Sequence, residues 1–289
     1  MKISDILSTK QSFSFEIFPP KGDLSVGQAL DVAGALAVYA PDWISVTFSA
    51  GGSGNSENTF TIAHDIEQEV GVNALAHLTC MGATTADIDA RLARIGELGV
   101  ENVLALRGDR MPGRDVVDFA YAAELIAHIK DVAPQICVGA ACYPEGHVEC
   151  DDFERSMHHL RAKQDAGADF LVSQLFFDNA DFYRFRDACT RHRVKIPIVA
   201  GIMPFTSVKQ IQRMAFTCGA SIPARVIRRL AAAGNDPQAQ AAAGISYACE
   251  QIEDLAANGV DGIHLYSMNR PETGWAAYTT LRSCGYLHD

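Results

Sequence analysis

ADIDARLARIGELGVENVLAL, residues 86–106, decides the fold. Its first part sets Ile88, Leu92, Ile95 and Leu98 at i, i+4, i+7 and i+10, one face of a helix. Gly99 follows, suited to the left-handed residue that closes a helix. Asn102–Leu106 (NVLAL) is then a short, continuous apolar run, as a strand buried on both faces requires. The helix–glycine–strand passage recurs at Ala166-Gly167-Ala168 and at Asn258-Gly259-Val260.

Working outward, seven more apolar runs read as strands: Ser12–Phe18, Trp43–Phe48, Ala74–Thr79, Ile136–Ala141, Phe170–Gln174, Pro197–Ala200 and Gly262–Tyr266. Their starts fall about 30 residues apart until a longer last gap. Helical patterns lie between them, at Phe153–Ala166, Ala180–His192 and Val208–Thr217 among others. Eight strand–helix units predict an α/β protein of the (β/α)8 TIM barrel class, residues 1–289 forming a single domain with no second one expected. The stretch before the last strand, Ala-rich over Ala231–Ala243, predicts extra helices there. A doubly wound sheet is weakened by the missing G-x-G-x-x-G and phosphate-loop motifs. Gly51-Gly52-Ser53-Gly54 lacks the phosphate-loop lysine and reads as a loop after strand two.

Composition bounds the function. The 289 residues are 48% hydrophobic and 20% charged, ample for a buried core. A net charge of −11 disfavours nucleic acid or an anionic membrane as a partner of the whole surface. No apolar run reaches the roughly 20 residues that span a bilayer, and MKISDILSTKQ lacks a signal-peptide core. The expectation is a soluble, cytoplasmic protein. The eight cysteines form no C-x-x-C pair and read as structural thiols, with no metal site expected.

In such a barrel, chemistry sits at the C-terminal ends of the strands. Those ends carry Glu16, Thr47, His77 with Thr79, Arg107-Gly108-Asp109, Tyr143 through His147, Gln174, and Asn269-Arg270. Glu16 alternates with Phe15 and Ile17, so it faces the barrel interior if those two face the helices. Each residue has a plainer reading. Glu16 could pair with a buried arginine, Asp109 could bridge or turn with Arg107, His77 could be a hydrogen-bonded core histidine, and Tyr143 a loop anchor. His158 and His159 are adjacent on a helix and cannot share a face. Taken together, the pattern points to a barrel enzyme for a polar organic substrate. H-E-x-x-H and G-x-S-x-G are absent, and no lysine falls at a predicted strand's C-terminal end, which thins out zinc hydrolases, serine hydrolases and Schiff-base aldolases. The remaining groups suit a bound organic cofactor.

The motifs FSFEIFPPKGD (Phe13–Asp23), ISVTFSAG (Ile44–Gly51), AHLTC (Ala76–Cys80), LALRGD (Leu104–Asp109), CYPEGH (Cys142–His147), SQLFFD (Ser173–Asp178), GIMP (Gly201–Pro204) and LYSMNR (Leu265–Arg270) occur in that order. With them the chain resembles bacterial methylenetetrahydrofolate reductase over essentially its whole length. The resemblance implies a barrel that holds FAD and passes hydride from NADH or NADPH to the flavin. The reduced flavin then converts 5,10-methylenetetrahydrofolate to 5-methyltetrahydrofolate, in a homo-oligomer. It implies Glu16 as general acid and Asp109 beside pterin and flavin. The implied FAD contacts are Thr47, Phe48, Ala50, His77, Arg107, Gly108, Asp109, Tyr121, Ala122, Tyr143, His147 and Lys163, with Lys163 reaching the pyrophosphate. The implied folate contacts are Gln174, Gln210 and Arg270. Ser156, His159 and Ala162 stand where the family carries Asp, Asn and Arg, and Met214 where some relatives carry Phe. Arg155 and Arg161 are the nearest replacements for the missing arginine. A flavin-independent reductase of this fold, an enzyme running in the oxidative direction, a pterin-dependent methyltransferase and a non-catalytic folate-binding or assembly barrel remain as alternatives.

Overall fold

The computed structural model describes residues 1–19, 26–48, 56–109 and 118–287. Ala50 and the glycine-rich stretch 51–54 lie outside them. Eight parallel strands close into a barrel in sequence order, β8 pairing with β1. They are β1 (Ser12–Ile17), β2 (Trp43–Val46), β3 (Asn73–Thr79), β4 (Asn102–Leu106), β5 (Cys137–Cys142), β6 (Phe170–Ser173), β7 (Ile198–Ile202) and β8 (Gly262–Tyr266). The helices that follow them in turn are α2 (Val26–Ala37), α3 (Ser56–Asp65), α4 (Thr85–Glu97), α5 (Ala122–Val132), α6 (Phe153–Asp165), α7 (Asn179–Arg191), α8 (Val208–Cys218) and α11 (Pro271–Ser283).

Alternation along each strand sorts the side chains. Phe13, Phe15, Ile17, Ile44, Val103 and Leu265 face outward into the main core under the helices. Trp43, Leu75, Leu104, Cys137, Phe170 and Val199 point inward and fill the lower barrel. The inner cluster also takes Ile3 from α1 (Ile3–Thr9), a short helix that the apolar periodicity did not reveal and that plugs the floor. Gly99, Gly167 and Gly259 hold φ of 69°, 107° and 63°, the left-handed helix ends expected of them.

The bottom rim is stitched by carboxylates. Asp42, Asp169 and Asp261 stand immediately before β2, β6 and β8. Each accepts a backbone N–H from the preceding strand: Phe13 at 2.9 Å, Val138 at 2.7 Å and Ile198 at 2.8 Å. The insertion before β8 does form helices, but the Ala-rich segment is not one helix. α9 (Ala224–Ala233) stops at Gly234, and α10 (Pro237–Ala257) restarts with Asp236 as cap and Pro237 in its first turn. Among the described residues, no helix is long and apolar enough to cross a membrane.

Candidate active site

One wall of the mouth is polar. Ser14 and Glu16 on β1, Ser45 on β2, His77 on β3 and His264 on β8 turn inward together. Among the described residues, no arginine pairs with Glu16. Its Oε2 lies 3.5 Å from His77 Nε2 and 3.8 Å from His264 Nε2. The buried His264 ring shares Nδ1 with the Ser14 hydroxyl at 2.8 Å and Nε2 with the Ser45 hydroxyl at 3.3 Å. The His77 Nε2 is buried without a hydrogen-bond partner among the described residues. Burial pushes the His77 imidazole down to about 4, with Glu16 opposing and His264 adding to the shift. Near neutral pH Glu16 therefore has an uncharged imidazole beside it, at the edge of the open mouth. Gly201 makes room next to it, since a Cβ there would sit 2.7 Å from the Tyr266 ring. Tyr266 itself donates to the Ser173 carbonyl at 2.6 Å.

The facing groups are placed less tightly. Asp109 is exposed on the loop after β4, where Gly108 turns with φ of 88°. Its carboxylate and that of Glu16 both act on the Cys218 thiol at the end of α8, which burial first, then the two carboxylates, push up to about 11. Both acids therefore lie within electrostatic reach of that thiol. The Gln174 side chain accepts from the Leu175 N–H at 2.9 Å, and Gln210 accepts from the Thr206 N–H at 2.7 Å within the first turn of α8. Thr47 follows β2, its N–H bonded to the Ile17 carbonyl, and Phe48 packs on Phe60 under the Arg91 guanidinium. Asn269 clamps the Phe18 backbone by two 3.0 Å hydrogen bonds, leaving Arg270 exposed at the start of α11.

A cavity of about 260 Å³ opens beside this mouth, between the ends of β4 and β5 and helices α5 and α6. Arg107, Tyr121, Ala122, Tyr143, His147 and Lys163 all line it. Lys163 is half-buried there and its ammonium donates to the Ala141 carbonyl at 2.7 Å, over the Tyr143 ring at 5.4 Å. Burial pushes it down to about 8; the Cys142 thiol opposes that shift and Arg107 adds to it. A half-buried cation with a carbonyl and no carboxylate partner among the described residues fits an arriving anion. Arg107 pairs with Glu149 at 2.8 Å. The residues present therefore fit an aromatic ligand bearing a diphosphate. Glu149 and Cys150 also line the cavity and were not singled out from the sequence as contacts; Arg155 lines it too. Arg161 points elsewhere, to Asp165 at 2.7 Å and the His192 and Arg193 carbonyls, so of the two candidate replacements only Arg155 reaches the cavity.

The methylenetetrahydrofolate reductase family profile matches residues 2–282. The chain belongs to that family. It is 31% identical over 268 residues to the 5,10-methylenetetrahydrofolate reductase of Escherichia coli, covering 93% of this chain and 90% of the relative. It is 35% identical over 280 residues to methylenetetrahydrofolate reductase 1 of Schizosaccharomyces pombe, covering 93% of this chain and 46% of that protein. The chain thus spans about half the length of the yeast relative and most of the bacterial one. Among solved structures, a Clostridium thermocellum protein that binds two copies of 5-methyl-5,6,7,8-tetrahydrofolic acid shares the fold, with TM-score 0.68 at 15% identity over the whole of both chains. Within this family member, Ser14, Ser45 and His264 were the residues sequence reading passed over. Their signal was present, since Ser14 is two residues from Glu16 and His264 two from Tyr266, on the same inward faces.

Proposed function

We propose that the protein interconverts 5,10-methylenetetrahydrofolate and 5-methyltetrahydrofolate, using NADH or NADPH and FAD held in the cavity beside α6. Family membership supports the reaction class. The observation that carries the residue roles is Glu16 at the mouth between two imidazoles, with a cationic cavity next to it.

FAD, when bound, would relay hydride between nicotinamide and folate. Lys163 and Arg107 would face its diphosphate, and Tyr121 and Tyr143 its aromatic portions. The methylene substrate carries a five-membered ring that must open before its one-carbon unit can accept hydride. Glu16 would deliver the proton that lets a ring nitrogen leave, and take it back in the reverse direction. His264, held by Ser14 and Ser45, fixes the carboxylate's surroundings. Asp109 would accept hydrogen bonds from the pterin and balance the positive charge that develops on ring opening. Gln174, Gln210 and Arg270 would grip the rest of the folate from the β6, α8 and α11 edges of the mouth.

Anaerobic stopped-flow measurement tests this. The purified protein is expected to be yellow, to bleach near 450 nm with NADH or NADPH, and to regain colour with methylenetetrahydrofolate. A colourless protein that turns over folate with nicotinamide would establish direct hydride transfer instead. A protein inert in both half-reactions would leave only a binding role.

A further inference from the structure

We propose that His159 is a proton-accepting anion contact of the cavity: it takes up a proton when a diphosphate-bearing cofactor binds and releases it when the cofactor leaves. The inference rests on the reading that FAD occupies this cavity.

Helix α6 sets Arg155, His159 and Lys163 at i, i+4 and i+8, so three nitrogen-bearing side chains share one face, and all three line the cavity. Each meets it differently. Arg155 is held from behind by Asp151 at 2.5 Å. Lys163 is anchored on a carbonyl. The His159 ring lies flat on Tyr121, with centroids 4.9 Å apart and planes 22° from parallel. Stacking fixes the ring and leaves its edge open. Neither ring nitrogen of His159 hydrogen-bonds to a described residue.

The second cavity histidine shows why this matters. His147 Nδ1 accepts the Glu149 backbone N–H at 3.0 Å, so His147 can become an imidazolium only by losing that bond. It is a neutral donor through Nε2. His159 carries no such lock and is free to titrate.

The charges around His159 set the direction. From its own helix it meets Arg155, His158 and Lys163; from α5, Tyr121, with Glu124 engaged on the Ala120 and Tyr121 N–H groups; across the cavity, Arg107, Tyr143, His147, Glu149 and Cys150. His158 turns away toward His192, which pairs with Glu154 at 2.9 Å. Burial lowers the His159 imidazole, and Lys163, Arg155 and His158 lower it further. A diphosphate placed among these cations reverses the sign of the local field and favours the imidazolium. Binding then draws one proton from buffer onto His159. The bound state has the higher pKa, so affinity is greatest at low pH and falls as pH rises through the bound value.

Isothermal titration of FAD into the flavin-stripped protein, in buffers of differing ionisation enthalpy, reads this directly. Its diphosphate is a diester and does not titrate near neutrality. ADP-ribose is the second probe, with the same diester and no flavin. The wild type is expected to take up a proton on binding, and to bind FAD about 3- to 10-fold more tightly at pH 6 than at pH 8. At pH 6.5, where Lys163 with its value of about 8 is charged before and after binding, His159→Gln and His159→Asn are expected to abolish the uptake and to flatten the profile between pH 6 and 7, whereas His158→Gln keeps both. FAD binding without uptake in the wild type at pH 6.5, or uptake at that pH that persists in both His159 variants, overturns the proposal. ADP-ribose binding with His159-dependent uptake, while FAD fails to bind, overturns the flavin reading and leaves His159 standing. Failure of both probes overturns the two together.

Discussion

The two rims of the barrel both carry carboxylates, and use them in opposite ways. At the bottom, Asp42, Asp169 and Asp261 each accept a strand N–H within 2.9 Å, and Asp42 and Asp169 also hold Lys10 and Lys130. At the mouth, Glu16 accepts no backbone N–H from a described residue and faces two imidazoles at 3.5 and 3.8 Å. Backbone donors occupy a carboxylate's lone pairs and join it to the sheet. Imidazoles on one side and an open mouth on the other leave it able to exchange a proton with whatever binds. The functional group is the same at both rims, and its surroundings separate stitching from chemistry.

The largest expected effect sits at the mouth. Glu16→Gln should slow folate reduction by about 100- to 10,000-fold, the range of a lost general acid, while flavin reduction by NAD(P)H stays within about twofold of wild type. Single-turnover measurement of each half-reaction checks it, and equal loss in both would erase the distinction between the rims. Next comes the pH response of the same wall. The unfolded chain protonates His77 as pH falls through 6.5, whereas the folded chain resists until about 4. The depressed folded value makes this stability complete above 6.5 and progressively lost as pH falls toward 4. The loss should reach about 3 kcal/mol, and His77→Gln should show a shallower acid limb in denaturant titrations across pH 4–7. The smallest effect belongs to the bottom. Asp169→Ala strands the Val138 N–H and leaves the Lys130 ammonium with the Ile136 carbonyl alone, and should cost about 1–3 kcal/mol in chemical denaturation. Both half-reactions should survive it. A variant that folds as stably as wild type would mean these carboxylates do not stitch the rim.

The barrel was legible because its signals are local. Strand runs such as NVLAL, the spacing of Ile88, Leu92 and Ile95, and the glycines at helix ends each act within a few residues. Strand edges moved by a residue or a few, as at β2, which ends at Val46 rather than Phe48, because the last residues of a run bend away to form the mouth. α1 escaped notice because its apolar residues Ile3, Ile6 and Leu7 are few, and Ile3 and Leu7 find their partners on the barrel floor. Arg155 and Arg161 looked equivalent until the helix was docked: one faces the cavity and the other the adjoining turn at His192 and Arg193.

Sequence alone determined the alternation, and therefore which residues point inward and at which end of each strand they fall, because side-chain direction in a strand or helix follows a fixed local period. Tertiary structure decided which of those residues meet. Glu16, His77 and His264 are separated by 61 and 248 positions along the chain, counted from Glu16, and come together only because closure makes β8 the neighbour of β1. Charge and hydrogen-bonding state depend on such neighbours across space, so the proton chemistry of the site emerged only when the ring of strands was closed.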